Sequence, residues 1–364
     1  MITLAIVLLF GSFVLSTALT GIVVAISTRR GFVAHPARDR YHTVTVALGG
    51  GIAIFATLAL FMLAAILAVR YGTGTALLDR FGQTVTVHIP GFLGKIPQLL
   101  IVLALVTTLF VLGLVDDIKH LGPFFKLAVQ FIVAFIAAIA ADIRIELFIE
   151  SRVITSLMSA FWIVLICNAF NFLDNMDGLS AGMAVIATSI LFVAAALSGQ
   201  VFVGALALLF VGTLLGFLVW NFPPARIFMG DAGSLVVGFF VAVLTLRTTY
   251  YHEGLNGQWY AVLMPLIAMA VPLYDFISVT LLRISQGRSP FVGDTQHFSH
   301  RMKRRGLTDT QTVLTLYLAT LCTGVSAVFL YQVNLIGAVL IFAQTVMILV
   351  IIAVFESTGG NDRN

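Results

Sequence analysis

Eleven stretches of roughly twenty apolar residues divide this 364-residue chain, near 2–26, 47–69, 97–115, 124–141, 154–171, 181–197, 201–219, 233–247, 261–282, 311–331 and 335–355. Backbone amides surrounded by lipid must be paired within their own segment, so runs of this kind fold as membrane-spanning helices. Hydrophobic residues make up 60% of the chain and charged ones 10%, far below the roughly one quarter charged of a soluble domain. The expected fold is all-α: a polytopic membrane protein of about eleven helices. A single domain is expected over 1–356, with 357–364 as a short cytoplasmic tail. The first run starts at Met1 without a basic segment and outlasts a signal-peptide core, so it reads as a retained helix.

The basic residues fix an expected orientation. With the N-terminus outside, the inner loops hold Arg29, Arg30, Arg38, Arg40, Lys119, Arg226, Arg283, Arg288, Arg301, Lys303, Arg304 and Arg305. The outer loops keep Arg70, Arg80, Lys95, Arg144, Arg152 and Arg247. The positive-inside rule therefore predicts a cytoplasmic C-terminus, and the net charge of +4 reflects topology, not nucleic-acid binding. Cys167 and Cys322 fall in separate apolar runs and read as small buried hydrophobes, not as a disulfide or metal pair. In the outer loop 70–96, the alternation Thr84-Val85-Thr86-Val87-His88-Ile89 predicts a short strand or hairpin.

Chemistry-bearing residues gather in the inner loops. The first carries His35, Arg38, Asp39, Arg40 and His42 and then Gly49-Gly50-Gly51, a pattern that suits lipid anchoring or phosphate binding, with glycines that permit close backbone approach. The third run ends in Asp116-Asp117. Paired acids at that depth stay ionised only beside a cation, and Lys126 is the natural partner for them or for a substrate phosphate. Positions Asn168, Asn171, Asp174 and Asp177 recur at a spacing of three, which on a helix brings two amides and two carboxylates to one surface. Oxygen ligands of this kind suit a hard cation such as Mg²⁺; the plainer reading is a set of turn residues before Gly178. Asp231, between Gly230 and Gly233, reads either as a helix cap or as a metal ligand meeting Asp174 or Asp177. The last inner loop holds Asp294, His297, His300 and Arg301, fitted to phosphate or sugar contact, ahead of a basic run, Lys303 to Arg305, that reads as a lipid anchor. Asp275 lies inside an apolar run, with Arg283 as candidate partner.

Together and in this order, from His42 to His300, these motifs resemble the polyprenyl-phosphate N-acetylhexosamine-1-phosphate transferases, glycosyltransferase family 4. The matching elements are Gly113-Leu114-Val115-Asp116-Asp117, Asn168 to Asn171 with Asp174 and Asp177-Gly178, Ile227 to Asp231 with Gly233-Ser234, and Asp294 with His297 and His300. Ser299 stands where that family often has a middle histidine, and Asp39 where it has a basic residue. The resemblance implies Mg²⁺-dependent (or Mn²⁺-dependent) transfer of a sugar 1-phosphate from a UDP-N-acetylhexosamine to undecaprenyl phosphate. UMP would leave on the cytoplasmic side of a bacterial inner membrane, starting a cell-envelope polysaccharide. It assigns Asp116, Asp117, Asp174 and Asp177 to catalysis, and Asp231, Asp174 and Asp177 to the metal. Substrate would meet Arg40, His42, Lys126, Asn168, Asn171, Asp294, His297, His300 and Arg301. No nucleic-acid partner is expected, and a homodimer is allowed for.

The helix count and the Arg288-Ser289-Pro290-Phe291 segment are similar to the UDP-GlcNAc branch more than to the UDP-muramoyl-pentapeptide branch of peptidoglycan synthesis. Three other classes fit the sequence less well. An intramembrane aspartyl protease would use Tyr274-Asp275 and Gly230-Asp231, but position 228 is Phe and the order is reversed. An aromatic prenyltransferase would need a further Asp where His120 stands. A secondary transporter predicts midplane polar residues and an inverted repeat, whereas the acids collect at one interface.

Overall fold

The computed structural model describes residues 1–34, 45–72, 82–145, 149–248, 258–289 and 297–357. Among them, ten helices are long and apolar enough to cross a bilayer. A bent pair, Trp259–Ala268 followed by Ala270–Ser285 at 62°, supplies an eleventh crossing if counted as one span. The protein is thus an all-α, multi-pass membrane protein. Its helices are α1 (Ile2–Arg30), α2 (Gly50–Gly72), the one-turn α3 (Gln83–Thr86), α4 (Ile89–Lys119), α5 (Pro123–Ala140), α6 (Arg152–Leu173), α7 (Leu179–Leu197) and α8 (Val201–Asn221). There follow α9 (Gly230–Arg247), α10 (Met264–Ala268), α11 (Ala270–Ser285), α12 (Phe298–Arg304), α13 (Asp309–Val328) and α14 (Leu335–Ser357).

The helix α9 is the axis of the bundle. It packs on α6, α4, α2 and α7, and 78% of its most apolar window is buried. The outermost helices α1 and α14 bury 11% and 17% of theirs, so their side chains are left to lipid. Most buried hydroxyls bond back within their own helix, and some polar side chains find partners across helices. Ser16 Oγ donates to the Thr213 carbonyl at 2.6 Å, and Trp162 Nε1 to Thr245 Oγ1 at 2.9 Å. The break between α10 and α11 has a local cause. Pro272 has no N–H to return to the Ala268 carbonyl four residues back, so the helix cannot run straight through.

Two sequence expectations change. The outer segment predicted as a strand instead forms α3 and the start of α4. Gly82 turns at φ 80°, Thr86 N–H bonds the Gly82 carbonyl at 3.2 Å, and a proline in the first turn of α4 suits a helix start. Among the described residues no strand pairs with this segment, and its amides are satisfied locally by helix. Cys322 is exposed on the bundle surface, whereas Cys167 is buried as expected.

Strands do occur at the opposite end. The short strands β1 (Val33–Ala34), β2 (Val46–Leu48) and β3 (Ile227–Phe228) form a three-stranded sheet in the order β1-β2-β3. Ala47 pairs with Ile227 and Leu48 with Phe228 in parallel register. This ties the first inner loop to the segment leading into α9.

Candidate active site

The site is built around the first turn of α9. A helix start leaves N–H groups without internal partners and a partial positive charge, and no side chain caps this one from Met229. Carboxylates from two other segments supply what is missing. Asp117, near the end of α4, accepts from Asp231 N–H at 2.8 Å and from Ala232 N–H at 3.1 Å. Asp174, at the C-cap of α6, lies close enough to the Gly230 amide to feel its dipole. The contact is close because glycine stands on the facing helices. A Cβ on Gly113 of α4 would strike the backbone of Asp231 and Ala232, and one on Gly51 of α2 would strike Ala232 and Gly233.

Lys126, in the first turn of α5, lies between two acids, with its Nζ 2.8 Å from Asp116 Oδ2 and 2.9 Å from Asp231 Oδ2. The second oxygen of Asp116 takes the Leu121 N–H at 2.6 Å. Asn171 Nδ2 donates to Asp231 Oδ1 at 3.0 Å and to Ser234 Oγ at 2.9 Å. The expected one-faced run from 168 to 177 is cut short, because α6 ends at Leu173. Asn168 turns toward α5 and donates to Gln130 Oε1 at 2.6 Å. Asp177 lies in the connecting turn and accepts from Ala225 N–H at 2.9 Å, which ties that turn to the segment before β3. Asn221 holds the same turn, accepting from Gly178 N–H at 3.0 Å and donating to the Ile227 carbonyl at 2.8 Å.

The histidines arrive on the short helix α12. His297 Nδ1 is 2.9 Å from Asp275 Oδ2, so the structure gives Asp275 a different partner from the expected Arg283. His300 is buried. Burial, with His297 and Lys303 nearby, pushes its imidazole down to about 4, so near neutral pH it offers an uncharged ring. Arg301 Nη2 reaches Ser278 Oγ at 3.5 Å, and Ser299, at the family's middle-histidine position, donates to Asn175 Oδ1 at 2.6 Å. Arg40, His42 and Asp294 lie outside the described residues. Sequence reasoning gave no role to Gln130 or Asn221. An amide one helical turn after Lys126 in an otherwise apolar helix was the available signal for Gln130.

The donor set suits a hard divalent cation. Asp174 feels the charges of Asp231, Asp117 and Asp177, and Asp117 that of Asp231, while of these four Lys126 touches only Asp231. Burial, then the charges of Asp231, Asp117 and Asp177, hold the Asp174 carboxyl well above the usual carboxylate range. Such a cluster gains from a cation. Among the described residues, no three His, Cys, Asp or Glu side chains already converge as a metal-holding group, so an ion would have to draw the acids off their present donors.

Comparison with known proteins falls on the same residues. Positions 99–249 match the sequence model of glycosyl transferase family 4, a span that contains Asp116, Asp117, Lys126, Asn171, Asp174, Asp177 and Asp231. A decaprenyl-phosphate N-acetylglucosaminephosphotransferase of Mycobacterium leprae (strain TN) is 30% identical over 352 residues, covering 89% of this chain and 83% of that protein. A probable undecaprenyl-phosphate N-acetylglucosaminyl 1-phosphate transferase of Bacillus subtilis (strain 168) is 29% identical over 349 residues, covering 94% and 88%. An undecaprenyl-phosphate alpha-N-acetylglucosaminyl 1-phosphate transferase of Thermotoga maritima is 28% identical over 292 residues, 80% of each chain. The matches run through every element that builds the carboxylate cluster, and the chain belongs to glycosyl transferase family 4, a family of enzymes.

Proposed function

We propose that this protein transfers N-acetylglucosamine 1-phosphate from UDP-GlcNAc to undecaprenyl phosphate, releasing UMP and starting a cell-envelope polysaccharide. The observation that carries the reading is the acid cluster on the α9 start, with Lys126 inside it, at one end of a membrane bundle. A lipid phosphate can reach that end from the bilayer and a sugar nucleotide from water. The relatives named above add the choice of sugar and acceptor. In this reading the site end faces the cytoplasm of a bacterial inner membrane, as the Lys and Arg distribution suggests.

Asp231 with Asp174, and Asp177 beside them, would hold Mg²⁺. Bound there, the ion would supply positive charge to the diphosphate as UMP departs. Lys126 is a compact, mobile charge suited to a phosphate once it leaves Asp116 or Asp231. The lipid phosphate has a second pKa near 6, so at neutral pH its oxygen attacks phosphorus with little need of a base. A new P–O bond forms to the phosphate carrying GlcNAc, the bridging P–O bond breaks, and its electron pair leaves with UMP. Both oxygens of Asp117 accept backbone N–H groups, which favours direct attack over an aspartyl intermediate on that residue.

The test is UMP release by purified protein given Mg²⁺, undecaprenyl phosphate and a panel of UDP-sugars. UDP-GlcNAc should give UMP, and Asp231→Asn should lower the rate by about 100-fold or more, the scale of losing a charge-stabilising group. Absence of UMP with every sugar, or equal rates for wild type and Asp231→Asn, would sink the proposal.

A further inference from the structure

Asp275 is fully buried, one turn beyond the Pro272 break, on a helix that packs against α6. A carboxyl in that place must be matched at both oxygens to be tolerated, and it is. Oδ2 meets His297 Nδ1 at 2.9 Å, and Oδ1 accepts the Phe298 N–H at 3.2 Å. One side chain thus holds the histidine ring and the first residue of α12 together.

The ring is fixed on its other sides by the segment that carries Asn171 and Asp174. Phe172 meets the His297 ring edge-on at 5.6 Å, stacks obliquely on Phe276 at 4.9 Å, and lies under the Arg283 guanidinium at 5.0 Å. Two residues on, Ser299 Oγ bonds Asn175 Oδ1 at 2.6 Å. With Asp275 Oδ2 as the acceptor of this contact, Nδ1 would be the nitrogen that carries the proton. That leaves Nε2, which has no hydrogen-bond partner among the described residues.

We propose that Asp275 is a positioning residue for the transfer site: it sets the tautomer and angle of His297 so that Nε2 is presented to a phosphate or sugar of the substrate. Asp275 makes no substrate contact itself. A merely structural acid would need an acceptor role toward α12 but would not dictate which nitrogen of His297 carries the proton.

The kinetic part of the test rests on the transferase reading; the spectroscopic part does not. In full-length protein labelled with ¹⁵N-histidine, the His297 signals are assigned by their loss in His297→Gln. Wild type should show Nδ1 protonated. In Asp275→Asn the amide oxygen stays with Phe298 N–H and the amide NH₂ faces Nδ1, so the proton should move to Nε2. In the UMP assay, Asp275→Asn and His297→Ala should each lower kcat/KM for the sugar nucleotide by about 10–100-fold, as orienting partners of histidines do. The double variant should be no worse than His297→Ala alone. An unprotonated Nδ1 in wild type, an unchanged tautomer in Asp275→Asn, or losses that multiply would each overturn the proposal. If Asp275→Asn does not fold, the wild-type spectrum alone decides. Failure of wild type to release UMP would remove the transferase reading and leave the tautomer assignment of His297 standing.

Discussion

Four of the five acids at the site are each held differently. Asp116 is paired with Lys126, Asp117 is bound to the α9 backbone, and Asp231 is shared between Lys126 and Asn171. Asp174 has the least compensation, with its carboxyl held high by burial and by three neighbouring acids. The sign of its linkage follows. A carboxyl whose folded value is raised binds a proton more readily in the folded than in the unfolded chain, so its share of stability falls as pH rises from the ordinary Asp range toward the raised value. A divalent cation competes with that proton. Mg²⁺ uptake should therefore release protons and tighten as pH rises toward and through the raised value, read by calorimetry in buffers of different ionisation enthalpy. At a free concentration 100 times Kd, Mg²⁺ should stabilise wild type by about 2.7 kcal/mol. Asp174→Asn should lose both the proton release and most of the stabilisation. Metal binding without proton release would place the ion on the other acids.

At the scale of elements, the site depends on how closely α4 approaches the start of α9. Gly113→Ala places a methyl against the Asp231 and Ala232 backbone, so the helices must part and the Asp117 contacts lengthen. Overpacking of this kind costs roughly 1–3 kcal/mol, and activity should fall along with thermal stability. Gly94→Ala on the same helix meets nothing within 4 Å and should leave UMP release unchanged and the melting temperature equal or slightly raised, since alanine is the better helix former. Equal behaviour of the two variants would remove the close-approach argument. The spans were legible because lipid imposes a length and an apolar composition on every helix. A close approach at the glycine triplet was legible as well, but not that the approaching backbone is the start of α9. The capping of α9 by Asp117 was not, because a trans cap depends on which helix ends meet, and no local spacing encodes that. The helix through Asp177 failed for a related reason: tertiary ties from Asn221 and Ala225 hold residues 174–178 as a turn. Asp275 was marked as unusual from its apolar surroundings, but its partner came from 22 residues away, beyond any helical offset.

For the molecule as a whole, the crossing count decides which solutions the two ends face. With the bent pair counted as one span, eleven crossings would put the termini on opposite sides, and the acid cluster, the three-stranded sheet and α12 all belong to the end where α4, α6, α8 and α11 finish. Arg226 is exposed at that end and Arg152 at the other. Both sit beside helix ends, where a thiol is reachable from water without entering the bundle. Of the native cysteines, Cys167 is buried and Cys322 lies on an exposed helix face within a span, so Cys322→Ser gives a quiet background. In that background, Arg226→Cys should react with a membrane-impermeant maleimide in inverted inner-membrane vesicles and stay unlabelled in intact spheroplasts. Arg152→Cys should show the reverse. Labelling of Arg226→Cys from outside would turn the molecule over, and labelling of both from one side would mean that one of the three helices between them, α6, α7 or α8, does not cross. Arg226→Cys reached from outside would separate the acid cluster from a cytoplasmic nucleotide pool and so remove the physical basis for a soluble UDP-sugar donor, whatever the family resemblance suggests.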